Sequence, residues 1–170
     1  NVTFESDLKN QYYLNRLTIR GNKKSRDKVI RRQIFLDEGE LITNQKMELS
    51  KACVNLLGYF EQRNGVNWKI TRLDDSKADL DLVLSEAKTG KFSANLTYGG
   101  SPINKQTPQT GLNFNTTFGD TNFLGSGVSV SGSVEIAQKY RSAMGMVANP
   151  WLFDRPIRGT ASGFIKASTY

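Results

Sequence analysis

Apolar positions in this chain follow two rhythms, and the change falls near Gly90. Before it the pattern is mixed. Tyr12, Leu14, Leu17 and Ile19 lead into Arg20-Gly21-Asn22 and predict a strand closed by a turn. Ser25 is placed to cap a helix starting at Arg26, with Asp27 in its first turn, Val29, Ile30 and Ile34 inward, and Asp37-Glu38-Gly39 at its end. Thr43 or Asn44 opens a second helix, in which Leu49, Ala52, Cys53, Leu56 and Leu57 recur at i, i+3, i+4, i+7 and i+8 and predict the buried stripe. Cys53 then reads as a small core hydrophobe, and Gly58 as a left-handed cap. Two strands follow, over 60–73 with a break at Asn64-Gly65, and over 79–86, where Leu80, Leu82 and Leu84 alternate with Asp79, Asp81 and Val83. The predicted order is β-α-α-β-β, an α+β domain over residues 11–89. Val2-Thr3-Phe4-Glu5 echoes Leu82-Val83-Leu84-Ser85-Glu86, so residues 1–10 are expected to end a preceding copy of the same unit.

From residue 90 to 170 the period is two. Phe92, Ala94, Leu96 and Tyr98 alternate with Ser93, Asn95 and Thr97; Leu112, Phe114, Thr116 and Phe118 with Asn113, Asn115 and Thr117. Val128 to Ile136 alternates with Ser129, Ser131, Ser133 and Glu135, a strand over 140–148 alternates less cleanly, and Ile157 to Ala167 opposes Arg158, Thr160, Ser162, Lys166 and Ser168. These are about five antiparallel strands with one apolar face and one of Ser, Thr and Asn. Strands of roughly 9–11 residues with that alternation suit a transmembrane β-barrel. Phe118 and Phe123 are expected to flank one connection and Trp151 and Phe153 to lie in another on the same side, as membrane-interface aromatics. The other side would receive the polar loop from Gly99 to Thr110 and the short link Ala137-Gln138-Lys139. Five strands are too few to close a barrel, so an incomplete one is expected.

Charge sharpens the division: residues 1–90 carry 16 Lys+Arg and 13 Asp+Glu, residues 91–170 only 7 and 3. A strand face nearly free of charge fits a bilayer better than a soluble sandwich. The net charge of +7 does not call for nucleic acid, and the basic run Lys23, Lys24, Arg26, Lys28, Arg31, Arg32 has no interleaved aromatics, so it reads as a solvated helix face. With one cysteine and no histidine, neither a disulfide within the chain nor a histidine-based catalytic triad can form, and metal ligands are scarce. Asp74, Asp75, Asp79 and Asp81 lack calcium-loop spacing and read as a turn and a strand face. No catalytic residue, cofactor or metal site is expected. Asn1 falls in what reads as a strand, so no targeting segment is legible.

Tyr13-Leu14-Asn15-Arg16-Leu17-Thr18-Ile19-Arg20-Gly21-Asn22, then Val29-Ile30-Arg31-Arg32-Gln33, Glu38-Gly39 and Leu57-Gly58-Tyr59-Phe60 resemble the POTRA repeat. Thr89-Gly90-Lys91-Phe92 with Tyr98-Gly99 resembles the junction into the first barrel strand of the BamA family. Asn122-Phe123-Leu124-Gly125-Ser126-Gly127 and Asn149-Pro150-Trp151-Leu152-Phe153 resemble that family's first two periplasmic turns.

The resemblance implies a last POTRA repeat followed by the opening barrel strands, in the bacterial outer membrane with the repeat in the periplasm. It also implies an activity, the folding and insertion of unfolded outer-membrane β-barrel proteins without a cofactor. In this family the barrel closes between its first and last strands, so the strand from Lys91 to Gly99 has a releasable edge. Phe92, Ser93, Ala94, Asn95, Leu96, Thr97 and Tyr98 are then expected to pair with client strands. Arg31 and Glu38 occupy the positions expected to dock an accessory assembly lipoprotein. The other reading of the same superfamily is a polypeptide export pore of the two-partner secretion type.

Overall fold

The computed structural model describes residues 11–98, 111–138 and 140–168. The expected end of a preceding repeat at 1–10 and the loop from Gly99 to Thr110 lie outside them. The chain divides into two compact units between Lys88 and Thr89.

In the first unit β1 (Tyr13–Arg20), α1 (Asp27–Arg31), α2 (Asn44–Leu56), β2 (Val66–Arg72) and β3 (Lys77–Leu84) follow in the expected order. β3 is the central strand, parallel to β1 and antiparallel to β2. Its alternation places Ala78, Leu80, Leu82 and Leu84 in the core and Asp79 and Asp81 on the other face. Leu14 and Leu17 are both buried although three residues apart, a spacing that a regular strand would put on opposite faces. A bulge between Leu14 and Arg16 absorbs the extra residue and turns Leu17 inward opposite Leu80. Gly21 closes β1 at φ +90°, where any Cβ would lie 2.0 Å from the Leu84 carbonyl oxygen. The pairing of the strand ends therefore requires glycine.

The helices differ from expectation. α1 has only five residues, and Ile34 lies beyond it. Arg26, not Ser25, is the N-cap residue, without a side-chain cap. Buried Ser25 instead belongs to a clamp, in which the Glu86 carboxylate accepts from the backbone N–H of Lys24 (2.8 Å) and Ser25 (2.6 Å). In α2, capped by the Thr43 hydroxyl, the buried residues are Met47, Ser50 and Val54. Leu49 and Leu56 of the expected stripe are 48% and 83% exposed, and Cys53 is only half-buried. The helix is rotated because a polar residue sits at its most buried point. Ser50 donates to the Lys46 carbonyl (2.7 Å) and accepts from the Phe35 N–H (2.9 Å), so its hydroxyl is satisfied in the core. Trp68 on β2 packs against both groups of core side chains and donates its indole N–H to the Met47 carbonyl (3.0 Å).

The second unit is one antiparallel sheet, β4 (Gly90–Tyr98), β5 (Leu112–Phe123), β6 (Val128–Ala137), β7 (Tyr140–Asn149) and β8 (Gly159–Ser168), in sequence order. Its register runs unbroken except for a bulge between Asp120 and Phe123. Opposed residues share a face. Phe92, Phe118, Gly132, Gly145 and Gly163 form one row on the apolar side, with Leu96, Phe114 and Ile136 in another. On the polar side Ser93 and Thr117 share a hydrogen bond of 2.6 Å, and Asn113 donates to Glu135 (3.1 Å). That side is not wholly polar: Met144 opposes Phe164, whose ring lies 5.5 Å from the Lys166 ammonium.

Two outcomes test the first unit, with urea unfolding followed by Trp68 fluorescence in a Trp151→Phe background. Leu80→Ala should cost about 2–5 kcal/mol, the usual loss for a buried leucine, while Leu56→Ala should change stability by less than about 0.5 kcal/mol. Burial alone would raise the Glu86 carboxyl. Hydrogen bonds from the Ser25 hydroxyl and from the backbone N–H groups of Ser25, Lys24 and Lys23 outweigh it and hold the group below the usual 4.5. A depressed folded-state pKa stabilises above the unfolded value, and that contribution is lost as pH falls below 4.5 through the folded value. Glu86→Gln should therefore flatten the acid limb of the stability profile.

Candidate functional site: the β4 edge and the sheet it opens

β4 is paired to β5 through one edge, and its other edge has no strand partner among the described residues. Every residue from Gly90 to Tyr98 is exposed. The segment expected to pair with client strands, Phe92 to Tyr98, is therefore one continuous edge strand. Phe92, Ala94, Leu96 and Tyr98 lie on the apolar face and Ser93, Asn95 and Thr97 on the polar one, each opposite a residue of matching character except Ala94, which meets Thr116. Proline and inward charge, the usual guards of such edges, are absent from it. At the end of the sheet where β4 begins, Phe92, Phe118, Phe123 and Val130 line an apolar cleft of about 310 Å³, with Lys91 and Asp120 at its margin.

The expected aromatic positions separate. Phe118 does not flank a connection: β5 continues five residues past it, and its ring lies where a Cβ on Gly132 would stand. A ring laid over a cross-strand glycine covers backbone that would otherwise be bare. Phe123 does end β5, opposite Val128. Trp151 and Phe153 lie in the β7–β8 connection, Trp151 half-buried with its backbone N–H donating to the Asn149 side-chain oxygen (3.0 Å) and Phe153 exposed.

Both connections at this end, the segments that resemble periplasmic turns, contain a tight turn whose backbone type the sequence did not specify. Phe123-Leu124-Gly125-Ser126 has φ 50° and 69° at its central residues and a Ser126 N–H to Phe123 carbonyl bond of 3.1 Å. Leu152-Phe153-Asp154-Arg155 has φ 53° and 60° and an Arg155 N–H to Leu152 carbonyl bond of 3.1 Å. Positive φ at both central residues is the type I′ pattern. The first turn is latched by buried Asn122, whose side-chain oxygen accepts from the Gly127 N–H (2.8 Å). The available signal was that asparagine one strand-end residue before Phe-Leu-Gly-Ser-Gly.

Arg31 and Glu38, the expected docking residues, each have a partner within the unit. Arg31 pairs with Asp27 one turn back (3.0 Å). Glu38 accepts from the Leu17 N–H (3.1 Å), just beyond the β1 bulge. There it continues the pairing that residues 39–42 make along the outer edge of β1, through the Gly39 N–H to Leu14 carbonyl bond (2.7 Å) and the Ile42 N–H to Tyr12 carbonyl bond (2.8 Å). Three of the four aspartates have local tasks: Asp74 closes its own turn by accepting from the N–H groups of Ser76 and Lys77, Asp79 accepts from Asn15, and Asp81 pairs with Arg20.

A family model described as surface antigen variable number repeat, the POTRA family, matches residues 12–87. The outer membrane protein assembly factor BamA of Buchnera aphidicola subsp. Acyrthosiphon pisum is 29% identical over 129 residues, 76% of this chain and 19% of that protein. BamA of Neisseria meningitidis serogroup B is 33% identical over 119 residues, 70% of this chain and 14% of that protein. Both alignments are longer than the first unit, so they run into the sheet. The crystal structure of BamA from Haemophilus ducreyi lacking POTRA domains 1-3 superposes with a TM-score of 0.71 over 91% of this chain and 27% of that one, at 20% identity, and so shares the fold. The first unit is thus a POTRA domain, followed by a five-stranded antiparallel sheet. The chain is of the BamA type, and it spans less than a fifth of the length of the curated relatives it matches.

Proposed function

We propose that this chain belongs to the machinery that folds and inserts β-barrel proteins into the outer membrane, with the POTRA unit (11–89) in the periplasm, the sheet (90–170) forming the first strands of a transmembrane barrel, and β4 as the template for arriving strands. The observation that carries this reading is an antiparallel sheet with one apolar face in which β4, the strand that follows the POTRA unit, is like β8 paired on one side only among the described residues. Strands of 9 to 12 residues are long enough to cross a hydrocarbon core when tilted. In that setting a peptide group without a partner costs several kcal/mol, so a client strand that finds the N–H and C=O groups of β4 gains bonds that lipid cannot give it. The substrates are unfolded outer-membrane β-barrel proteins, named in kind by the function of the relatives. Phe123, Trp151 and Phe153 stand at the periplasmic interface; Phe118 belongs with the strand interior.

An accessory assembly lipoprotein docks on the face carrying Arg31 and Glu38 in this reading. Because Glu38 also holds the Leu17 N–H, its charge and its bond must be separated. Glu38→Gln keeps an acceptor and removes the charge. Co-purification of the lipoprotein should then fall, by up to about fivefold for the ~1 kcal/mol of an exposed charge pair, with unfolding unchanged. Retention equal to the unmodified protein would remove this surface from the contact.

The main assay reconstitutes the full-length protein in liposomes and scores protease-resistant folding of an added unfolded outer-membrane protein. Faster folding than with empty liposomes is expected. Passage of an unfolded polypeptide into the lumen without such folding would instead indicate an export pore. Proline at Ala94 and, separately, at Asn95 tests the template, since the N–H groups of neighbouring strand residues point to opposite edges. The variant that loses the outward N–H should keep the sheet and slow client folding by about tenfold, the equivalent of ~1.4 kcal/mol for one ladder bond. Normal folding with both variants would exclude pairing at β4.

A further inference from the structure

Leu124 and Phe153 occupy the same position in two separate turns, the first central residue of a type I′ turn. Glycine, asparagine and aspartate suit that position, and a larger residue there carries a left-handed backbone penalty. Packing does not offset it, because Leu124 is 69% and Phe153 87% exposed. Both turns join strands at the end of the sheet where β4 begins, β5 to β6 and β7 to β8, so the two tips are displaced by two strand spacings, about 10 Å. Exposed Arg155 and Arg158 stand beside the second tip.

A strained backbone that presents a large apolar side chain to the outside, used twice at one end of a sheet, is explained by something outside that receives it. We infer that Leu124 and Phe153 are a pair of lipid anchors that enter the phospholipid interface at the periplasmic end of the sheet and fix the depth of strands β5 to β8. Phospholipid is the partner whose chemistry matches. At the second tip Phe153 stands with Arg155 and Arg158 and one carboxylate, Asp154, so an apolar side chain with a net positive surround meets acyl chain and phosphate together. The inference rests on the reading that this sheet spans the membrane.

The test uses the full-length protein in phospholipid vesicles, in a background lacking other cysteines, Cys53→Ser included. Leu124→Cys, Phe153→Cys and, as a reference, Ile165→Cys each carry an environment-sensitive fluorophore. Ile165 lies on the apolar face, well inside β8. Nitroxide lipids with the spin label near the headgroup should quench the labels at 124 and 153 at least about twofold more than lipids labelled at the chain end, because interfacial residues lie only ~5–10 Å below the surface. The label at 165 should show the reverse order. Labels at 124 and 153 that are open to aqueous iodide, or shielded from both iodide and nitroxide by a protein partner, would overturn the anchors while quenching at 165 leaves the membrane reading intact. Absence of lipid quenching at 165 would overturn both. Leu124→Asn with Phe153→Asn should also leave the thermal midpoint in detergent unchanged or raised, since asparagine relieves the turns. A lowered midpoint would mark the pair as packing residues and count against the inference.

Discussion

A peptide group that leaves water must find another peptide group, and that requirement organises both units of this chain. In the POTRA unit it is met on all sides of the central strand, and the outer edge of β1 is closed by residues 39–42 with the Glu38 side chain taking over at Leu17. In the sheet it is met between neighbours from β5 to β7, while β4 and β8 each have one edge with no strand partner among the described residues. Function in this reading needs no reactive side chain, which accords with a chain that has one cysteine and no histidine.

The sequence pattern was most legible where hydrophobic period and backbone geometry agree. Leu80, Leu82 and Leu84 announced the central strand, Gly21 its tight neighbour, and the alternation from Phe92 onward announced the sheet and its two faces. It failed where a polar atom was satisfied inside or an apolar one was placed outside. Ser50 is fully buried because its hydroxyl has two backbone partners, so counting leucines rotated α2 away from its true core face. Phe118 was placed at a strand end because aromatic residues gather at membrane interfaces, yet its ring is used to cover Gly132. Phe164 joined neither list of alternating residues and lies on the polar face against Met144.

The candidate site shows the same division. That β4 is a strand followed from its alternation, but that it is an edge depends on which strands lie beside it, which is long-range information. Arg31 and Glu38 were singled out by motif position as docking residues, and the partners local geometry gives them, an aspartate one helical turn away and a strand N–H beyond a bulge, were not legible in the motif. A bulge in a parallel pair leaves no mark in composition. Its only trace was the odd spacing of Leu14 and Leu17.

The aligned glycines Gly132, Gly145 and Gly163 have a mechanical consequence. The Phe118 ring lies over Gly132, but at Gly145 and Gly163 a Cβ would meet nothing within 4 Å, so across β7 and β8 the apolar face carries no side chain at this level to collide when the sheet bends. The bare band crosses β7 and β8 at one level, where a bend would meet no side-chain clash on that face while the hydrogen-bonded ladder stays closed. A wall that flexes along a defined line can change the curvature it presents to the open strand without giving up any of its own pairing.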